Sequence, residues 1–318
     1  MDEGHRDMAA ASPRDFTVMM PPRSPLTRFK ERVISGVLML SLLSVIIPVV
    51  LIVVFLLTKG APGLSWQFIT QEPAQRMTAG GIRPVILGSL YLVSLTALFS
   101  VPIGVLAAVY LTEYAKKSFV TRAIRLAIVN LAGVPSIVYG LFGLGLFVYF
   151  LNFGTSLLAA SCTLAVLVLP LIITASEEAL LTVPAAFREA SLALGVSKWQ
   201  TIWRVVLPTA TPGILTGIIL GVARAAGETA PLLFCGAAFF LSFFPESFSV
   251  ARIPSMVHDT LTSQFMALPY HLYTLATQVP KASETLKWAT ALVLLILVLG
   301  MNMIAILLRS YLRRARRW

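Results

Sequence analysis

Residues 184 to 208 read PAAFREASLALGVSKWQTIWRVVLP, a polar interruption between two strongly apolar stretches. Pro184 suits the first turn of a helix, where its missing N–H costs nothing, and Phe187, Ala190 and Leu194 then share one face. Gly195 stops that helix. Ser197 to Gln200 has the pattern of a capping box, and Trp199, Ile202, Trp203 and Val206 form the apolar stripe of a second helix that is expected to end at Pro208. The spacing therefore predicts a helix, a glycine elbow and a helix. Such an elbow is a compact knob rimmed by Arg188, Glu189, Lys198 and Arg204. Two readings fit the residues: a knob that docks a partner in water, or an amphipathic loop lying on lipid headgroups.

Around this segment the composition is that of an integral membrane protein. Hydrophobic residues make up 57% of the 318-residue chain and charged residues only 12%, which excludes an ordinary soluble domain. A hydrocarbon core of about 30 Å is crossed by about 20 helical residues. Runs of that kind occupy residues 33 to 58, 85 to 111, 124 to 151, 157 to 176, 211 to 240 and 288 to 309, so the expected fold is all-α with six membrane-spanning helices. The first run is too long for the apolar core of a signal peptide and is expected to be retained. Residues 1 to 32 lack periodicity and read as a mobile cytoplasmic tail, and residues 310 to 318 as a basic one.

Lysine and arginine set the expected orientation. The N-terminal tail, the segment 112 to 123 with Arg125, the elbow and the C-terminal tail hold 18 of the 25 basic residues. Both termini and the elbow are accordingly placed on the cytoplasmic side. The arginines at 313, 314, 316 and 317 read as an anchor on anionic membrane lipid and not as a nucleic-acid site.

The fifth run carries the most informative intramembrane residues. Gly213, Gly217, Gly221 and Ala225 recur every four residues and offer a smooth face to another helix. Arg224 and Glu228 lie four apart, followed by Thr229, with Gly227 and Pro231 able to loosen the helix between them. A charge at the bilayer centre costs roughly 2.5–3.5 kcal/mol on insertion scales, so the pair needs a reason to be there. It is either an ion pair that fixes helix packing or part of a water-filled, anion-tolerant pathway. In the third run, the segment 132 to 140 puts Pro135 beside small residues and predicts a kink, with Gly143 and Gly145 extending the close-packing face. Cys162 and Cys235 lie in apolar runs and read as packing residues; His258, Asp259 and His271 have no ligand-like spacing, so no metal is assigned. The segment 241 to 287, with Pro245, Pro254, Pro269 and Pro280, could form surface helices that receive a soluble partner or be a plain connector. There is no phosphate-binding loop of the Gly-x-x-x-x-Gly-Lys type, no nucleophile elbow and no HExxH segment, so the chain is expected to bind no nucleotide or cofactor of its own and not to be an enzyme.

The elbow resembles the cytoplasmic loop of type I permease subunits of ABC importers, whose pattern is Glu-Ala-Ala, three residues and Gly, closing on aliphatic-x-Leu-Pro. Glu189, Ala190, Gly195, Val205, Leu207 and Pro208 match in place, while Ser191 stands where Ala is usual and Val205 where Ile is common. Within that family the chain is similar to the PstA group of phosphate permeases, through residues 131 to 140, 189 to 208 and 223 to 234. A PstC-like subunit, a permease for another oxyanion, an ion-coupled secondary transporter and a structural scaffold are the competing readings. The resemblance implies a permease domain over residues 85 to 309 with a coupling loop at 184 to 208, and a non-catalytic subunit that forms a pathway with a PstC-like permease. It further implies a PstB-like ATPase dimer, carrying ATP and Mg, and a PstS-like protein that delivers phosphate, all at a bacterial inner membrane. Arg188, Glu189, Ala190, Gly195, Trp199, Leu207 and Pro208 would then couple to the ATPase, and Arg224, Glu228 and Thr229 would line the anion pathway.

Overall fold

A computed structural model describes residues 25–74, 77–239 and 253–314. Most of the N-terminal tail, Pro245 and the arginines at 316 and 317 lie outside the described residues. By its internal contacts the chain divides into Met1–Val54 and Phe55–Trp318. The first unit contributes most of α1 (Pro25–Gly60), an apolar helix with Pro48 inside it. Proline is tolerated in a membrane helix because neighbouring hydroxyls and local adjustments satisfy the freed backbone groups.

The second unit holds a short helix α2 (Trp66–Thr70), a two-residue antiparallel ladder of β1 (Pro73–Ala74) with β2 (Ala79–Gly80), and the main bundle. Its long helices are α3 (Arg83–Val109), α6 (Leu157–Leu181), α9 (Leu207–Gly227) and α13 (Glu284–Arg314). Between them come α4 (Phe119–Ala132), α5 (Ser136–Gly143), α7 (Ala185–Ala193), α8 (Lys198–Thr201), α10 (Leu232–Cys235), α11 (Ile253–Thr262) and α12 (Leu268–Thr277). Among the described residues five helical stretches are long and apolar enough to cross a membrane, and α4 with α5 makes a sixth if the bent pair counts as one span.

Helix α6 is the centre of the bundle. Leu157, Leu164, Leu167, Val168 and Ile172 are almost fully buried, packed with Leu92 of α3, Ala225 of α9 and Leu232 of α10. The glycine stripe of α9 explains how close α6 comes. A Cβ on Gly213 would lie 2.6 Å from the Cβ of Ala179, one on Gly221 would lie 3.0 Å from Ile172 Cγ1, and one on Gly217 would collide with Ala175. The start of α6 is held from outside the helix: Ser156 Oγ accepts from Ala159 N at 3.1 Å, Leu157 N donates to Ser263 O at 2.9 Å, and Ser156 N donates to Cys235 O at 3.0 Å.

Three boundaries differ from the sequence expectation. The run 124 to 151 is two helices bent by 105°, a break and not a kink. Pro135 lacks an N–H and drives Val134 out of helical conformation. At the break the carbonyl of Leu131 accepts both Val134 N at 3.1 Å and the Tyr139 hydroxyl at 2.7 Å. The run 211 to 240 stops being helical at Gly227, where Glu228 is extended, and the described chain resumes as α10 before turning at Gly236. Pro208, finally, does not end the elbow's second helix. The helix runs from Lys198 to Gly227 through a π-helical turn at Ile202–Val206. The register change at that turn starts a new ladder, and Pro208 occupies one of its first positions, where an N–H is not called upon.

Replacing Gly217 by Leu should separate α6 from α9 and lower stability by about 1–3 kcal/mol. Gly300→Ala in α13, where nothing lies within 4 Å of the added carbon, should stay within about 0.5 kcal/mol of the parent. Thermal unfolding of the detergent-solubilised protein separates the two.

Candidate coupling elbow and charged helix break

The elbow is built by local chemistry. Pro184 caps α7 at φ −58° and ψ 141°, and Gly195 turns the chain at φ +76°, a conformation that disfavours any residue with a Cβ. Ser197 and Gln200 form the reciprocal capping box that starts α8, with Ser197 Oγ accepting from Gln200 N at 3.3 Å. The two helices are pinned to each other by Ser191 Oγ and Thr201 Oγ1, 2.9 Å apart and both buried. Serine at this position therefore does what alanine could not: it supplies a hydrogen bond inside the elbow.

The apolar residues of the elbow divide into two sets. Ile202 and Val206 are buried with Leu180, Val183, Val109 and Ala210. Phe187, Leu192, Leu194, Trp199 and Trp203 are exposed, Leu194 by 84%, and the two indoles meet edge to face with centroids 5.4 Å apart. Glu189, Ala190 and Arg204 share this outer side, while Leu207 and Pro208 are half-buried at the base of α9.

Arg188 is not on the rim. Its guanidinium turns inward, with Nε and Nη2 donating to Glu113 Oε1 at 3.1 and 2.8 Å, and Nη1 and Nη2 donating to the carbonyls of Val183 and Leu180. Lys198 also reaches back, its Nζ donating to Glu113 O and lying 4.8 Å from the Tyr114 ring centre. A second pair joins Arg125 to the more buried Glu177 at 2.6 Å, and Arg125 Nη2 donates to Leu111 O at 2.8 Å. Neither Glu113 nor Glu177 was singled out from sequence. The signal for Glu113 is an acidic residue ending an apolar span, just ahead of Lys116 and Lys117.

The helix break brings together two segments that the sequence presents separately. Gly140 of α5 lies against the stretch after Gly227: a Cβ there would be 2.9 Å from Pro231 Cα and 3.3 Å from Ala230 O. Cys235 Sγ donates to Gly140 O at 3.6 Å and lies 3.3 Å from Thr163 Oγ1, so this thiol is a packing group. Arg224 sits in the last turn of α9, where a cation is favoured by the helix dipole, and its Nε donates to Glu228 Oε1 at 3.4 Å. The Arg224 side chain is 37% exposed and that of Glu228 16% exposed. Thr229 beside them is half-buried.

A helical membrane domain with a broken, charged span and a compact polar elbow is the architecture of a transporter permease. Residues 100–318 match the binding-protein-dependent transport system inner membrane component family, and the chain belongs to that family. It is 35% identical over 290 residues to the phosphate transport system permease protein PstA of Mycobacterium leprae, covering 90% of each chain. It is 34% identical over 304 residues to phosphate transport system permease protein PstA 1 of Mycobacterium tuberculosis, covering 94% of each. Among solved structures, the inward-facing MetNI methionine ABC transporter aligns with a TM-score of 0.54 at 18% identity, covering 71% of this chain and 94% of that one. A bacterial ABC transporter that imports alginate aligns at 0.58 and 13% identity, covering 91% and 99%. These two likenesses establish the fold of an ABC importer permease.

Among the described residues no cluster of His, Cys, Asp and Glu is placed to hold a metal ion. His258 and Asp259 are exposed neighbours, 3.6 Å apart. His271 is different. It is buried in α12, its Nδ1 has no hydrogen-bond partner among the described residues, and burial lowers its pKa from 6.5 to about 4. A lowered folded-state pKa makes His271 a neutral core residue whose contribution is present above pH 6.5 and is lost as pH falls toward 4. Acidification over that window should loosen α12, up to about 3 kcal/mol once His271 is protonated. Hydrogen exchange of residues 268–277, corrected for intrinsic rates, should show this opening in the parent and not in His271→Leu.

Proposed function

We propose that this chain is one of two permease subunits of an ATP-driven phosphate importer. The observation that carries the reading is the elbow, whose outer side presents Phe187, Leu194, Trp199 and Trp203 beside Glu189, a rigid and partly apolar surface suited to a groove on a separate ATPase subunit. Lipid headgroups could also accept indoles, but the fixed geometry of the Gly195 turn and the Ser191–Thr201 bond favours a shaped protein partner. The substrate class is supported by the likeness to phosphate permeases over nine-tenths of both chains. It is also supported by a half-exposed Arg224 at a broken helix, the arrangement in which an intramembrane charge meets an ion pathway.

In this reading a PstC-like permease completes the pathway, a PstS-like protein delivers phosphate, and a PstB-like ATPase dimer binds ATP and Mg. Both termini and the elbow face the cytoplasm, and this chain binds no nucleotide. Closure of the ATPase pushes the elbow, and the bundle passes between outward-open and inward-open states because the ligands bind the two states differently. Arg224 draws the anion in, and Glu228, by holding part of the guanidinium, keeps that binding weak enough to release it.

Proteoliposomes containing all four components should take up labelled phosphate only with ATP, and sulfate or molybdate should not compete. Uptake driven by an ion gradient without the ATPase would overturn the reading. Arg224→Ala should lower uptake about tenfold or more, equivalent to ~1.4 kcal/mol of barrier, in a complex that still assembles. Unchanged uptake would leave Arg224 a packing residue. Gly195→Val forces a branched side chain into a positive-φ turn at a cost of about 1–2 kcal/mol and should reduce recovery of the ATPase on co-purification, whereas Gly195→Asn should retain it.

A further inference from the structure

Arg188 lies in the elbow yet spends its four hydrogen bonds inward, two on Glu113, one on the carbonyl of Leu180 in the last turn of α6 and one on that of Val183 just beyond it. The Glu113 side chain is only 9% exposed and that of Arg188 23%, so the pair is largely withdrawn from water. Lys198, on the other helix of the elbow, donates to the backbone carbonyl of the same Glu113. Both halves of the elbow thus converge on one residue at the end of the α3 span, in the π-helical turn Tyr110–Tyr114. We infer that Glu113 and Arg188 are positioning residues, a latch that makes α3 follow the elbow. The inference rests on the proposed coupling role of the elbow and adds the route by which its motion reaches the bundle.

The connectivity of the chain explains why a latch is needed. Helix α8 runs without a break into α9, so a push on the elbow reaches α9 through the helix itself. Helix α6 joins α7 through Thr182 to Pro184. Helix α3 is separated from the elbow by 75 residues of chain between Glu113 and Arg188, and the ion pair with the Lys198 contact supplies a direct link. A guanidinium suits the task because its planar fork bonds a carboxylate and two carbonyls at once, a geometry that an ammonium cannot reproduce. Removing one member of a withdrawn charge pair leaves the other uncompensated, so the link responds strongly to a single substitution.

The test uses the assembled transporter in lipid, with Glu113→Ala, the shape-conserving Glu113→Gln and Arg188→Lys. Two readouts are taken: phosphate moved per ATP hydrolysed, and the distance distribution between spin labels at Ala193 and Lys117. With the latch broken, ATP hydrolysis and ATPase recovery should persist. Phosphate moved per ATP should fall about tenfold, and the distance distribution should widen, with Glu113→Gln and Arg188→Lys intermediate. Unchanged transport per ATP with an unchanged distribution would overturn the latch. Loss of the ATPase with an unchanged distribution would also overturn it, since Glu113 or Arg188 would then be a partner contact. If the parent complex moves no phosphate, the proposed function fails, and the label distances alone decide the latch: widening supports it and no change overturns it.

Discussion

Every peptide group within a bilayer must find its hydrogen bond inside the protein, and this requirement orders the bundle. An unbroken apolar helix meets it alone. The two interrupted spans cannot, and each solves the problem by contact. At the break before α5 the Tyr139 hydroxyl takes the carbonyl of Leu131, and after Gly227 the chain folds against Gly140, with Cys235 reaching the Gly140 carbonyl. The two breaks pack against each other, and Tyr139, Leu232 and Cys235 join the buried cluster around the central helix α6. Arg224 stands beside this joint because a helix that ends inside the domain has carbonyls and a negative dipole end to offer a cation.

Much of the elbow was legible in the sequence because its determinants are local. Pro184, Gly195 and the Ser197–Gln200 box each act within a turn or two, and the structure places a helix cap, a positive-φ turn and a capping box where they stand. The glycine stripe of α9 was legible as a face, though not as the face that meets α6. What could not be read depends on partners far along the chain. A proline announces a disturbed helix, but neither the 105° angle at Pro135 nor the close approach of Gly140 to the remote Pro231 is written in the local pattern. Pro208 looked like a stop because a π-helical turn, which lets the helix change register ahead of it, leaves no mark in an apolar pattern. Arg188 looked like surface charge because its carboxylate partner is remote in sequence.

The elbow also shows why a polar segment between membrane helices need not be a flexible one. Its inner side is a small hydrophobic core, with Ile202 and Val206 packed against Leu180 and Val183, stitched by hydroxyl and guanidinium contacts. Its outer side leaves large aromatic and aliphatic groups uncovered. Rigidity beneath and unsatisfied apolar area above are the two properties that let a surface carry force, since a soft loop would deform before its neighbours moved.

The start of α6 has a consequence for how the domain can treat charge. A helix N-terminus is a ready site for an anion, because its first N–H groups point outward and the dipole is positive there. In α6 the N–H groups of Leu157 and Ala159 are engaged by Ser263 O and Ser156 Oγ. Two of the N–H groups that could meet an anion at the start of the central helix are thus taken by the protein's own chain. Positive potential near the helix break then comes from formal charge on the Arg224 side chain. Attraction for negative charge near the break is therefore carried by a replaceable side chain and not by the start of α6.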